Sequence, residues 1–304
     1  MKPAPAAQAY PLTDRDERIV RAVATYRFLT ALDVAHLLFH PGSLTYVREV
    51  LRRMAERQLL CRFPLPMPSG ARLNIYAIGA KGRSALAEGG YYTPSKLRSL
   101  SYGYLWHCLL LTRFCIAAHY WGADNPSFTL AETRLSYELS RTSPRMTLCA
   151  DGQETPALVI PDAWLLFERS DGNQFPILVE IDRGTEYQER FKAHVQGRLE
   201  LVRSGTYAKV FGMRAVVVAY VTTAACPDAA ATRRATMQRW TDELLDDLDL
   251  SNWASLFRFA AVEYNTLYTA PLFDAPEWYR PDEPETALPL LPLPEETGKE
   301  QNPW

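Results

Sequence analysis

The sequence predicts a two-domain chain: a helical front domain closed by a β-hairpin, then an α/β domain built on a mixed sheet. Three observations carry this. Residues 13–90 read as helix, short helix, helix and hairpin. Charge is uneven: residues 14–98 hold fourteen Lys and Arg against seven Asp and Glu, whereas the whole chain stands at −2, so the acidic excess lies behind. From residue 157 onward, apolar extended runs alternate with amphipathic stretches, the pattern of strands and covering helices.

The front domain opens with Thr13 as a helix cap and Ile19, Val20, Val23 and Ala24 at helical spacing. Thr30 opens a second helix, "TALDVAHLLF", with Asp33 three residues on. Pro41 and Gly42 end it, and Ser43 is expected to cap the third helix, "SLTYVREVLRRMAERQLL". In that helix Leu44, Val47, Leu51 and Met54 face inward. Thr45, Tyr46, Arg48, Glu49, Arg52 and Arg53 face outward, the mix of cationic and hydrogen-bonding groups that a helix in a DNA major groove presents. "LLCRFPLP" and "LNIYAIG" flank a Pro/Ser/Gly turn and make a hairpin with Arg72 at its tip. Three helices and a hairpin of this order make a winged helix-turn-helix, with Arg72 placed for a phosphate backbone or a minor groove.

Residues 91–103 are turn-rich and basic and read as a linker. The α/β domain is expected over 104–275. It starts with a long apolar helix from Tyr104, followed by "FTLAETRLSYELS", which matches no single period. "ALVIPDAWLLFE" reads as a strand, a Pro-Asp step and a strand; Asp171-Gly172 turns the chain, and "FPILVEID" answers. A helix over 183–205, the strand "FGMRAVVVAYVTT", the helix "RATMQRWTDELLDDL" and the strand "LFRFAAVEYN" complete it. Residues 276–304 are expected to be a disordered tail, since their last 24 residues carry six prolines and six acids.

Other classes are excluded early. The longest apolar run is broken by His107, Arg113 and His119, so no membrane segment is expected. The start "MKPAPAAQAYP" lacks the apolar core of a signal peptide, and a cytoplasmic location is expected. Cys61, Cys108, Cys115, Cys149 and Cys226 show no CxxC spacing, which argues against zinc.

"PILVEIDRGTEY" is the stretch that points to chemistry. An apolar strand ends in Glu180 and Asp182, two apart and therefore on one face. Asp162 begins the neighbouring strand, so three carboxylates can gather. Such a group repels itself unless a cation compensates. Mg²⁺ (or Mn²⁺) held by Asp162, Glu180 and Asp182 would do so and suit phosphodiester hydrolysis. The same residues also admit a plain reading, in which Asp182 is solvated and Glu186 serves the next helix.

"IPDAWL", "PILVEIDRGTEY" and Lys192 together resemble the replication-relaxation family of bacterial and plasmid proteins, over roughly residues 13–275. His107 and Glu132 also match family positions. The resemblance implies a winged helix before a nuclease-like domain, and roles in plasmid replication, DNA relaxation or mobilisation. The back domain is also similar to a remote PD-(D/E)xK, restriction-endonuclease-like fold. Pro161-Asp162 and Glu180 match that motif, whereas Asp182 stands where its lysine belongs. Lys192 on the following helix is the candidate to reach back, with Arg183 second, and Glu132 would complete the shell. Two functions follow: a DNA-binding protein of a plasmid or mobile element with a Mg²⁺-dependent cleaving site, or a non-enzymatic DNA-binding accessory or regulatory protein with a degenerate nuclease fold. Expected partners are double-stranded DNA and a replication or transfer protein, with a homodimer compatible with either.

Overall fold

The structure is a computed structural model that describes residues 12–66, 72–86, 100–142, 145–150 and 153–292. It contains a small three-strand antiparallel sheet with helices, then a seven-strand mixed sheet with helices. The chain divides into two compact units, residues 1–112 and 113–304.

The first unit runs α1 (Asp14–Tyr26), β1 (Leu29–Thr30), α2 (Ala31–Leu38), α3 (Leu44–Glu56), β2 (Leu60–Pro66), β3 (Arg72–Ile78) and α4 (Ala80–Ala85). Its sheet order is β1-β3-β2. Thr13 caps α1 by accepting from the Asp16 N–H at 3.2 Å. Thr30 and Asp33 close a reciprocal capping box: the Thr30 N–H donates to Asp33 at 2.5 Å and the Asp33 N–H to Thr30 at 3.2 Å. Ser43 makes no side-chain cap; instead a 3-10 turn over Pro41–Ser43 leads directly into α3, and His40 accepts from the Gly42 N–H. The core of this unit is Ile19, Val23, Phe28, Val34, Val47, Leu51 and Ile75, all fully buried. Asp16 is buried too, and Arg15 and Arg57 bond it at 2.7 and 2.9 Å. Burial alone would raise its carboxyl, but the two guanidiniums hold it below the ordinary range.

The division of units falls inside α5 (Tyr102–Asp124). This helix is apolar nearly all round and accordingly buried along most of its length. Among the described residues no helix is long and apolar enough to cross a membrane.

The second unit continues with β4 (Phe128–Leu135), α6 (Ser136–Thr142), β5 (Arg145–Ala150), β6 (Gln153–Leu158), β7 (Ala163–Arg169), β8 (Gln174–Asp182) and α7 (Gln188–Arg203). It then runs α8 (Thr206–Phe211), β9 (Val217–Ala224), α9 (Pro227–Asp247), β10 (Phe257–Glu263), β11 (Trp278–Tyr279) and β12 (Ala287–Leu288). The sheet order is β12-β11-β10-β9-β8-β7-β4, with β8, β9 and β10 parallel and the remaining pairs antiparallel. The central strands are covered on both faces, which is why β8 and β9 read as unbroken apolar runs. On one face, Leu178, Val218 and Phe259 pack with Phe191, Val195, Leu199, Met237 and Leu245. Elsewhere in the unit Trp121, Phe128, Phe167 and Phe273 form an aromatic cluster with centroids 5.3–5.6 Å apart.

Several expectations are corrected. "FTLAETRLSYELS" is a strand followed by a helix, so no single period fits it. α7 begins at Gln188 instead of 183, and a short helix, α8, precedes β9 between Gly205 and Gly212. Both glycines hold φ near +70°, a conformation that side chains disfavour. The disordered tail from 276 is also corrected as far as residue 292. β11 and β12 extend the sheet, Trp278, Leu290 and Leu291 are buried, and the Leu291 N–H donates to the Phe273 carbonyl at 2.8 Å. Apolar anchors outweigh proline content here, because short edge strands need few backbone donors. Residues 293–304, most of the expected linker and the hairpin tip at 67–71 lie outside the described residues.

Candidate functional site

Two places hold the residues singled out by sequence. The first is in the front unit. α3 buries Val47, Val50, Leu51 and Met54, which leaves Thr45, Tyr46, Arg48, Glu49, Arg52 and Arg53 exposed, as expected. A groove of ≈ 620 Å³ lies against α3, the start of α2 and the β2–β3 hairpin. Arg48 and Arg52 from α3, Arg62 from β2 and Arg72 from β3 all line it. Arg62 was not anticipated; its exposed place on the strand opposite Tyr76 was the available signal. Burial pushes the Tyr76 hydroxyl up, against the opposing pull of the Arg62 and Arg48 charges.

These arginines differ in their partners. Arg52 is held by Glu49 through two bonds, at 2.9 and 2.6 Å, and also by Glu56. Arg53 stands 3.7 Å from Glu49. Tyr46 accepts from Arg15 at 2.8 Å and packs edge-on against Phe39. Among the described residues, Arg48, Arg62 and Arg72 have no carboxylate partner.

The second place is the end of β8. Its register sets Glu180 opposite Tyr220 and Asp182 opposite Thr222, while β7 starts at Ala163 opposite Val179. Asp162 therefore lies beside this strand end, and its Oδ2 accepts from the Ile181 N–H at 2.8 Å. Glu180 and Asp182 share a face, as expected. Each meets an arginine there. Arg198 Nε, from α7, donates to Glu180, with side-chain exposures of 8% and 13%. Arg198 Nη2 also donates to the Ile160 carbonyl at 3.0 Å. Arg233, from α9, makes two bonds to Asp182, at 3.0 and 3.1 Å, and one to the Glu186 carbonyl. The Gly184 N–H adds a further donor to Asp182 at 2.9 Å. Burial pushes the Glu180 carboxyl up to about 7, with Arg198 pulling it down and Asp162 adding to the rise.

Two supporting residues are placed elsewhere. Lys192 does not reach back to the acids. Its Nζ lies 3.1 Å from Glu243 on α9 and 4.0 Å from Asp247. Arg198, six residues further along α7, is the one that donates to Glu180. Glu132 pairs in register with Leu166, four residues beyond Asp162, which is ~13 Å along the strand at ordinary strand rise. It is 42% exposed and bonds Arg134 at 2.6 Å. His107 is half-buried in α5, and Arg183 Nε is buried without a hydrogen-bond partner among the described residues.

This donor set does not fit Mg²⁺. That ion needs carboxylate oxygens free to share with waters and phosphate. Glu180 and Asp182 are engaged by guanidiniums and Asp162 by a backbone N–H. Among the described residues no three His, Cys, Asp or Glu side chains group as a metal site would require. At the expected magnesium centre two of the three carboxylates are met by guanidiniums, Glu180 by Arg198 and Asp182 by Arg233.

A mixed α/β protein with an arginine-lined groove in a small helical unit and paired carboxylates in a larger one is the class that this geometry defines. A model of the replication-relaxation family matches residues 20–217, more than half of the chain, and the chain belongs to that family. Membership suggests a protein associated with plasmid replication or relaxation. Neither a curated protein nor a solved structure matches the chain.

Proposed function

We propose that this chain is a DNA-binding accessory protein of plasmid replication or relaxation, acting without a metal-dependent cleaving site of its own. The front unit is read as a winged helix, supported by its order α1-β1-α2-α3-β2-β3 and three-strand sheet. The back unit is read as a nuclease-like domain whose acids are structural. Asp162 immediately precedes β7 and Glu180 lies on the adjoining β8, where Arg198 donates to Glu180 and the Ile181 N–H to Asp162. Its partners would be double-stranded DNA and a replication or transfer protein.

The observation that carries the reading is the groove in which Arg48, Arg62 and Arg72 stand without carboxylate partners among the described residues. Unpaired surface cations on a helix and a hairpin are suited to phosphates on either side of a groove. The test is duplex-DNA affinity against salt. The slope of log K on log salt is expected to fall by about 0.9 for each of Arg48→Ala, Arg62→Ala and Arg72→Ala. Slopes unchanged in all three would remove the groove as the binding surface.

A further inference from the structure

We propose that Glu49 reads a base in the front groove, accepting from the exocyclic amino group that cytosine and adenine present in a DNA major groove. The inference deepens the DNA-binding reading of that groove and rests on it. Three observations carry it. Glu49 is the one acid among the described residues lining the groove, where Arg48, Arg52, Arg62 and Arg72 also stand. Both of its oxygens are held, because Arg52 donates to Oε2 from Nε at 2.9 Å and to Oε1 from Nη2 at 2.6 Å. Arg52 also bonds Glu56, which is not among the described residues lining the groove. The charge of Arg52 is thus already answered from outside, and no second acid is needed in the groove for that purpose.

A carboxylate beside phosphate-binding guanidiniums weakens affinity for every duplex alike, since it repels the backbone. It helps only where a base offers a donor. Hydrogen bonds from Arg52 hold the Glu49 carboxyl below its ordinary range, so it stays ionised and can only accept. The two bonds from Arg52 fix the plane of the carboxylate and leave a lone pair on each oxygen for a ligand. Thr45, Arg48, Glu49 and Arg52 are spaced three and four apart on α3 and so form one face. An acceptor on that face is met by the amino group of cytosine or adenine and repelled by N7 and O6 of guanine.

The experiment is selection of bound duplexes by the full chain from a pool with a randomised stretch, followed by affinities for single sites. Wild type is expected to select sites with one position fixed as cytosine or adenine, and guanine there to lower affinity about tenfold. Glu49→Ala is expected to lose the preference at that position alone, with guanine lowering affinity by less than about twofold. It should also bind random duplex more tightly than wild type, because an acid has left the groove. Glu49 is exposed, so the variant is expected to fold. A Glu49→Ala selection that keeps every base preference of wild type overturns the proposal, even with tighter random binding, because an ion pair without base contact gives that much. A wild-type site with no position fixed as cytosine or adenine overturns it too. Wild type that binds no duplex at all refutes the groove reading itself, and this inference with it.

Discussion

The two units use arginine in opposite ways. In the front unit Arg48, Arg62 and Arg72 are exposed, line one groove and have no carboxylate partner among the described residues. In the back unit Arg198 and Arg233 are largely buried, and each is bonded to an acid on β8. Composition alone would count all five as basic residues. Their partners separate them: a guanidinium already bound to a buried carboxylate neutralises the fold, and one left in a groove can neutralise something else. Arg52 stands between the two cases, since it is exposed yet clamped by Glu49 and Glu56.

The largest effect should come from breaking a buried pair. Arg233→Ala leaves Asp182 uncompensated and is expected to cost about 3–5 kcal/mol in urea unfolding. Arg48→Ala, exposed in the groove, should change stability by no more than about 0.5 kcal/mol. Equal costs at the two sites would erase the contrast.

Binding should show the reverse order. The triple variant Arg48→Ala/Arg62→Ala/Arg72→Ala is expected to lower the salt slope by about 2.7 units. Arg52→Ala should lower it by less than any of the three singles, because Glu49 and Glu56 already answer its charge. A larger effect for Arg52 than for Arg62 would mean that its acid partners let go on DNA.

Acid–base behaviour sharpens the contrast further. Glu180 is raised to about 7 from an unfolded value of 4.5. A raised carboxyl stabilises fully below 4.5, and that contribution is lost as pH rises through 7. Asp16 in the front unit is lowered from 3.8, so its contribution is present above that value and lost as pH falls through its folded value. Unfolding free energies of wild type minus Glu180→Gln should therefore decline from pH 4.5 to 8. Wild type minus Asp16→Asn should decline on acidification. Curves of the same sign would contradict the two assigned environments.

The smallest effect concerns a local element. Thr30→Ala removes half of the capping box on α2 and is expected to cost about 1 kcal/mol in thermal or urea unfolding. The first turn of α2 lines the groove, so DNA affinity should fall slightly with it.

Much of this fold could be read from the sequence because its signals are local. The caps at Thr13 and Thr30, the inward stripe of α3 and the Asp171-Gly172 turn each depend on neighbours a few residues away. What failed depends on distant partners. β1, with two residues, becomes a strand only by pairing with β3, and β11 and β12 exist because Trp278 and Leu291 find a core. At the carboxylates, sequence gave the positions and not the compensation. Glu180 and Asp182 do share a face, yet period-two logic cannot say whether a metal or an arginine will meet them. A trace was present nonetheless: Arg198 sits among Phe191, Val195 and Leu199 on the inward stripe of α7. A charge on an apolar stripe calls for a buried partner, a signal stronger than the sequence proximity of Lys192 to the acids. Arg233 was invisible for another reason, since it precedes the residue at which α9 was expected to start.

The most direct test of the contrast between the two sets of arginines puts both on one substrate. Supercoiled plasmid is incubated with the purified chain in Mg²⁺, in Mn²⁺ and in EDTA, beside Glu180→Gln, with retardation and nicking read from the same samples. The account predicts retarded plasmid that stays supercoiled in every condition, with binding equal in wild type and Glu180→Gln. Metal-dependent nicking by wild type that Glu180→Gln abolishes would contradict it, because the acids of β8 would then be serving a metal and not their arginines.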